Sequence, residues 1–338
     1  MQALILVGGE GTRLRPLTET VPKPALPLAG KPFLSYMIDW LARHGVDDVV
    51  LACGFGAGRL REALADAGGP RLSFVEEPEP RGTAGAMKYA SDQLEERFLA
   101  LNGDVLTDLD LDALIGFHER SGARATLGLY PLSDATGYGL VRREGDGAVL
   151  EFLEKPEGGV AGDINAGAYV LERDVLDMIP DDREVSIERE VFPRMIGDGL
   201  YGLPLAGYWM DIGTPDRYLQ ATWDILERRV ETALAERLDR DGLLVSGDVA
   251  RGARIEPPAL IEQGAGVASG AAIGPRAVIG PRCDVAAGAT VTSSVLHDGC
   301  RIGEGARLEG AILGAGVEVE DGATVGPGAV IGAAERVR

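Results

Sequence analysis

Over the first hundred residues, apolar runs of strand length alternate with stretches whose apolar positions recur at helical spacing. Ala3 to Val7, Val49 to Ala52, Leu72 to Val75 and Phe98 to Asn102 read as buried strands. Between them, Phe33, Leu34, Met37, Ile38 and Leu41 form one stripe from Pro32 to His44. Pro32 suits a first turn and Gly45 a C-terminal cap. Helices are also expected over Arg59 to Ala67 and over Ala84 to Arg97, the second capped by Thr83. Strict alternation of this kind predicts a Rossmann-like, mainly parallel sheet with helices on both faces. Such sheets bind ligands at the carboxyl ends of their strands, where the Gly8 loop and Gly103-Asp104 both fall.

The pattern changes after Pro215. A helical stretch with Tyr218, Leu219, Trp223, Ile225, Leu226 and Val230 on one face runs to about Asp241-Gly242. Beyond it, aliphatic residues recur at every sixth position: Val249, Ile255, Ile261, Val267, Ile273, Ile279, Val285 and Val291. After a slip the repeat resumes at Ile302, Leu308, Val319, Val325 and Ile331. A hexapeptide period with glycines near the aliphatics predicts a parallel β-helix, each aliphatic pointing into a stacked core. The expected division is a catalytic domain over 1–222, a helical linker over 223–242 and the β-helix over 243–338. His297 is the sole histidine of the repeat, and the sequence shows no partner for it. Acyl transfer, which needs a general base, is therefore not expected there, and an oligomerising or regulatory role is.

The chain carries a formal net charge of −20, which excludes nucleic acid and anionic membranes as expected partners. No apolar stretch approaches the ~20 residues of a membrane span, and Cys53, Cys283 and Cys300 have no metal-ligand spacing. A soluble cytoplasmic protein is expected. An anionic ligand must then be met by a local cation cluster. Lysine occurs only at Lys23, Lys31, Lys88 and Lys155, and three of the four precede proline.

The strand Ala3 to Val7 runs directly into Gly8-Gly9-Glu10-Gly11-Thr12-Arg13. Three glycines in four residues let backbone N–H groups converge on an anion. Arg13 and Lys23 add a planar fork and a compact charge, chemistry suited to a polyphosphate. A Walker loop needs Lys-Ser/Thr after its last glycine, and the dinucleotide fingerprint needs a third glycine where Leu14 stands, so neither fits. The segment from Gly8 to Pro24 resembles instead the signature of the sugar-nucleotidyltransferases, Gly-Gly-x-Gly-Thr-Arg-Leu-x-Pro-Leu-Thr followed by Pro-Lys-Pro. The likeness extends from Met1 to about Ile225 and is closest to the guanylyltransferases that make GDP-mannose.

That resemblance implies transfer of a nucleotidyl group from a nucleoside triphosphate to a sugar 1-phosphate. It implies nucleotide contacts at Leu6, Gly8, Gly9, Gly11, Thr12, Glu77, Gly82, Thr83 and Gly103, with Arg13 and Lys23 as catalytic cations. Sugar-phosphate contacts fall on Gly139 of Gly137-Tyr138-Gly139, on Glu154 and Lys155 of Glu154-Lys155-Pro156, and on Asn165. Ser186-Ile187-Glu188 and Val191-Phe192-Pro193 follow in the family's order. Asp104 in LALNGDV and Asp211 in GYWMDIG would hold Mg²⁺, a hard cation that takes oxygen ligands. The three histidines cluster with nothing in the sequence, so softer metals are not expected. The β-helix is implied to be left-handed, and a homo-oligomer built through it is expected.

Relatives that use thymidine or uridine nucleotides often carry glutamine where this chain has Glu77, with Glu76 the alternative position. A carboxylate only accepts, which suits the adjacent N–H donors of guanine, so GTP and mannose 1-phosphate are the expected pair. Two other readings stay open. One is thymidylyl or uridylyl transfer to glucose 1-phosphate; the other is a non-catalytic regulatory subunit that binds an NDP-sugar.

Overall fold

The computed structural model describes residues 1–54, 56–155, 159–181 and 183–338. Contacts divide the chain into two compact units. The first is Met1–Gly9, Met37–Gly58 and Asp66–Trp209; the second is Glu10–Tyr36, Arg59–Ala65 and Met210–Arg338. The glycine loop is thus shared: Gly8 and Gly9 belong to the first unit, and Gly11, Arg13 and Lys23 to the second.

The first unit is built on a nine-stranded sheet. Its strands are β1 (Gln2–Leu6), β2 (Asp48–Cys53), β3 (Arg71–Glu76), β4 (Arg97–Asn102), β5 (Ala125–Leu132), β6 (Gly139–Arg143), β7 (Val149–Glu154), β8 (Gly162–Glu172) and β9 (Leu200–Pro204). The order is β7-β6-β8-β4-β1-β2-β3, with β5 pairing to β8 and β9 to β5. β4, β1, β2 and β3 are parallel, and β8 joins β4 antiparallel. β1 is central, with Ala3 opposite both Val49 and Leu99. That position explains its unbroken apolar run, since a strand covered on both faces has no solvent side to mark with polar residues. The core gathers Leu4, Val50, Phe98, Tyr169 and Phe192.

The expected strands stand where the pattern put them, β1 one residue earlier and β2 to β4 longer by one or two residues, while three helices differ. The one expected over Arg59 to Ala67 covers Ala57–Ala63. The helix after β3 covers Gly82–Tyr89 rather than Ala84 to Arg97, and a single 3₁₀ turn, Ser91–Gln93, leads into β4. The stretch from Pro215 breaks into α-helices Pro215–Leu226 and Ala233–Arg237. Arg228 there has φ +58°, a left-handed conformation that ends a helix, and Thr232 caps the second one by accepting from the Ala235 N–H.

In the second unit, three parallel sheets stack two- and three-residue strands into a β-helix of the left-handed class. Equivalent residues lie 18 apart in the first coils, Ala259 against Ala277, and 17 apart after the slip, Val278 against Val295. The slip is one residue lost from each of two successive coils, and the spacing is 18 again from Ile312 to Val330. It leaves the column intact, with Ile261, Ile279, Leu296 and Leu313 all in the core. Leu296 and Leu313 are the residues that the strict six-residue count passed over.

Candidate functional site

In the first unit the carboxyl ends of β1 to β4 finish together: Val7 N–H donates to Ala52 O, Glu77 N–H to Cys53 O and Gly103 N–H to Leu6 O, each at 2.9 Å. Gly103 has no alternative, because a Cβ there would lie 2.6 Å from Val7 Cγ1 and 2.8 Å from Leu6 O. Asp104 follows it, half-buried. Glu77 is half-buried and its Oε1 lies 3.9 Å from where a Cβ on Gly8 would be, whereas Glu76 is exposed. Burial pushes the Glu77 carboxyl above the ordinary range, against the pull of a backbone hydrogen bond from Arg81.

The turn after Glu77 corrects one expectation. Thr83 lies inside the helix Gly82–Tyr89 rather than capping it. Its hydroxyl accepts from Ile187 N–H and donates to Glu188 Oε2, both at 2.8 Å. Ser186 Oγ also donates to Glu188 Oε2, at 2.7 Å. Gly82 has φ +69°, and a Cβ there would stand 2.6 Å from Val185 O. The expected nucleotide turn is therefore clasped to the segment 185–188, and Glu188 ties the two together.

The residues expected to meet the sugar form a second group in the same unit. Gly139 carries the Glu154 carboxylate over it: a Cβ there would be 3.0 Å from Glu154 Oε2. Burial, then repulsion from Glu188, raises the Glu154 carboxyl. The β5–β8 ladder slips between Asn165 and Tyr169, so Asn165 stands at an irregularity, the usual device for re-aiming a side chain. Asn165 Nδ2 donates to Tyr169 Oη at 2.8 Å, and Oδ1 accepts from Gly167 N–H at 3.0 Å. Trp209 Nε1 donates to Ala166 O at 2.8 Å, and its ring packs on Tyr130 and Tyr138 with centroids 5.7 and 5.3 Å away. Lys155 is 59 % exposed, its Nζ 3.9 Å from Glu154 Oε1. Pro156, the third residue of its triplet, lies outside the described residues.

The second unit gathers the cations. Gly11 has φ +63°, and a Cβ there would fall 3.0 Å from both Lys23 Cβ and Thr18 Cγ2. Thr18 Oγ1 donates to Gly11 O at 2.9 Å. Lys23 is buried to 7 % exposure, with its stem packed against that glycine. Arg13 rests on Gly213, where a Cβ would meet Nη2 at 2.6 Å. Two residues before Gly213, Asp211 is 18 % exposed and accepts from Arg217 Nη1 at 2.9 Å. Thr12 is exposed on the same loop.

Arg217, Glu188 and the aromatic pair Tyr130–Trp209 were not expected as site residues. Ser186-Ile187-Glu188 stands out in the sequence only by its order and the Trp209 segment only as the carrier of Asp211, and nothing in the sequence brings Arg217 to Asp211. The histidines also correct an expectation, since each has company. His118 Nδ1 pairs with Thr126 Oγ1 and Nε2 with Glu172 Oε1, at 2.8 and 3.1 Å. His297 Nε2 lies 2.9 Å from Tyr218 Oη. His44 stands with Asp110 and Asp112, their ligand atoms within 4.8 Å of one another.

No helix among the described residues is long and apolar enough to cross a membrane. The chain matches the Nucleotidyl transferase family over residues 2–228 and the GMPPB C-terminal domain over residues 255–338. It is 39 % identical to a mannose-1-phosphate guanylyltransferase of Mycobacterium tuberculosis, over 78 % of this chain and 74 % of that one. It is 40 % identical to the mannose-1-phosphate guanylyltransferase catalytic subunit beta of Danio rerio, over 78 % and 73 %. Among solved structures, HddC from Yersinia pseudotuberculosis superposes with a TM-score of 0.59 at 29 % identity, over 65 % of this chain and 97 % of that one. A second crystal structure of HddC, complexed with GMP-PN, gives a TM-score of 0.58 with the same identity and shares. By sequence and by fold, the chain belongs to the nucleotidyl transferase family.

Proposed function

We propose that this protein transfers a guanylyl group from GTP to mannose 1-phosphate, forming GDP-mannose and pyrophosphate. The observation that carries this reading is the gathering of Gly11, Arg13, Lys23 and Asp211 in one unit, in a chain otherwise strongly acidic. A phosphate oxygen of the sugar 1-phosphate attacks the α-phosphorus, and the bond to the β-phosphate oxygen breaks. That nucleophile is already anionic, because a phosphate monoester loses its second proton near pH ~6. No general base is needed; the task is to hold two anions together and stabilise the departing charge.

Gly8, Gly9, Gly11 and Thr12 offer backbone N–H groups to the triphosphate, and Arg13 binds its β- and γ-phosphates. Lys23 meets the transferring phosphate and the leaving oxygens, while Lys155 meets the sugar phosphate. Glu77 accepts from guanine, and Glu154 and Asn165 meet sugar hydroxyls. Two carboxylates without nitrogen or sulfur donors suit Mg²⁺, and Asp104 and Asp211 are the residues that would hold it. Bound there, the ion supplies charge neutralisation of the phosphates. Arg217, bonded to Asp211, keeps that carboxylate oriented. We keep the division into 1–222, 223–242 and 243–338 as the functional scheme, with the β-helix joining copies into a cytoplasmic homo-oligomer.

The test is pyrophosphate release with Mg²⁺ across GTP, dTTP, UTP, ATP and CTP, each with mannose 1-phosphate and glucose 1-phosphate. GTP with mannose 1-phosphate is expected to dominate. A pyrimidine nucleotide winning would discard the assignment of Glu77, and silence across the grid would discard the activity.

A further inference from the structure

One corner of the β-helix departs from the rest. Past the exposed Ser246 that follows the first strand, the residues that follow the strands of one sheet, Glu262, Gly280, His297, Gly314 and Gly332, form a column, because the preceding Ile261, Ile279, Leu296, Leu313 and Ile331 are in register from coil to coil. Each of the first four donates its N–H to the carbonyl one coil on: Glu262 to Ile279, Gly280 to Leu296, His297 to Leu313 and Gly314 to Ile331, at 2.9 to 3.0 Å. The glycines have a packing reason, since a Cβ on Gly280 would lie 2.6 Å from Leu296 O and one on Gly314 2.9 Å from Ala333 N. Glu262 and His297 keep side chains where the corner otherwise excludes them.

Both side chains are engaged within the second unit, and by one segment. A two-residue hairpin pairs Pro27–Leu28 with Lys31–Pro32 across Ala29 and Gly30, both at positive φ as such a turn requires. Gly30 faces the Glu262 carboxylate so closely that a Cβ would stand 2.2 Å from Oε1. That oxygen is buried and has no hydrogen-bond partner among the described residues. His297 reaches the other arm of the hairpin through Tyr218, whose hydroxyl bonds Pro27 O. A carbonyl can only accept, so the single tyrosine proton goes to Pro27, and His297 must donate from Nε2. Burial keeps this imidazole neutral by lowering its pKa to about 4, so the tautomer persists at physiological pH. At the far end of the column, a Cβ on Gly332 would lie 3.3 Å from Pro16 Cβ. The contacts at Pro16, Pro27 and Gly30 bracket Lys23.

We infer that this column is an internal rail on which residues 16–30 are seated, with Glu262 and His297 as positioning residues that hold the segment carrying Lys23. The inference rests on the role given to Lys23 under the proposed function. Ionisation of Glu262 works against the seat: the charge would sit beside Gly30 with an oxygen that nothing donates to. The charged groups acting on it are Arg237 on the helix Ala233–Arg237 and Asp298, next to His297. Asp298 opposes ionisation and Arg237 favours it; burial outweighs both and raises the carboxyl to about 7. The hairpin presents the Gly30 backbone to that carboxylate.

The test uses the full chain and compares wild type with Glu262→Gln and Gly30→Ala. Backbone amide hydrogen exchange of residues 16–30 is measured at matched pH, together with kcat and KM for the substrate pair. Glu262→Gln keeps shape and stays neutral, so it is expected to protect residues 16–30 above pH 7 where wild type loosens. It is also expected to abolish a fall in wild-type kcat above that pH, with KM little changed. Gly30→Ala is expected to speed exchange in 16–30 and to lower kcat about tenfold, the scale of a misplaced catalytic group. In all three proteins the Ile279 and Leu296 strands should stay protected. Equal exchange in 16–30 for the three, with that core intact, would overturn the rail. Should no substrate pair react, exchange alone decides: a response in 16–30 upholds the rail and removes the proposed activity, and no response removes both.

Discussion

The cation loop of the second unit and the sugar-side group of the first are both polar clusters, yet they are assembled in opposite ways. Gly11, Thr12, Arg13, Thr18 and Lys23 lie within 13 residues of chain, and Gly11 packs Lys23 against itself. The sugar-side group draws Gly139, Glu154, Asn165 and Trp209 from four separate segments. A cluster made by one loop is specified by glycines and their spacing. A cluster made by a sheet is specified by register, and register is carried by every core residue between the parts.

The difference predicts where substitutions will hurt. Arg13→Ala or Asp211→Ala should lower kcat at least ~10²-fold in folded protein, the scale of one preorganised charge; near wild-type turnover in either would remove the cation loop from the chemistry. Glu77→Gln should cost ~10- to 100-fold in kcat/KM for GTP, since a hydrogen bond to a charged group contributes ~1.5–3 kcal/mol. If its preference among the five nucleotides is unchanged, Glu77 does not read the base. Thr83→Val leaves the Ile187 N–H and Glu188 short of a partner, and should lower stability by ~1–3 kcal/mol. Thermal melting would show it, and the loss should raise KM for both substrates more than it lowers kcat; a kcat effect alone would mean that the clasp is not what positions them.

The smallest effect is on pH. Burial raises the carboxyls of Glu77 and Glu154, so both take up protons at a higher pH than the ~4.3 of a free glutamate. Only the ionised form accepts two donors, so kcat/KM should fall as pH drops through the raised pKa values. Stability runs the other way. For a group with a raised folded-state pKa, the contribution is fully present below the unfolded pKa and is lost as pH rises through the folded one. An acid limb in kcat/KM that survives in both Glu77→Gln and Glu154→Gln would exclude these two carboxyls as its source.

Much of the fold was legible because it repeats. Strand-length apolar runs marked β1 to β4, and the six-residue period marked the β-helix, slip included. The helix after β3 is shorter than its sequence suggests, because Ala90 and Leu94 continue the apolar pattern while the backbone has already turned into Ser91–Gln93. Thr83 showed the limit of local rules: a threonine at a helix start suits a cap, but Ile187 and Glu188, more than a hundred residues on, claim its hydroxyl. The partner of His297 lies 79 residues away on another helix and was equally invisible.

By itself, the sequence determined the chemistry of the glycine loop, the alternation that makes a parallel sheet and the period that makes a β-helix. Each of these rests on interactions among neighbours a few residues apart, or on a pattern repeated until chance is excluded. Only the tertiary structure decided that Arg217 holds Asp211, that Glu188 ties the nucleotide turn to the 185–188 segment, and that residues 10–36 cluster with the β-helix. Those pairings depend on where whole elements stop and meet, which follows from packing the entire core and has no signature within any single stretch of chain.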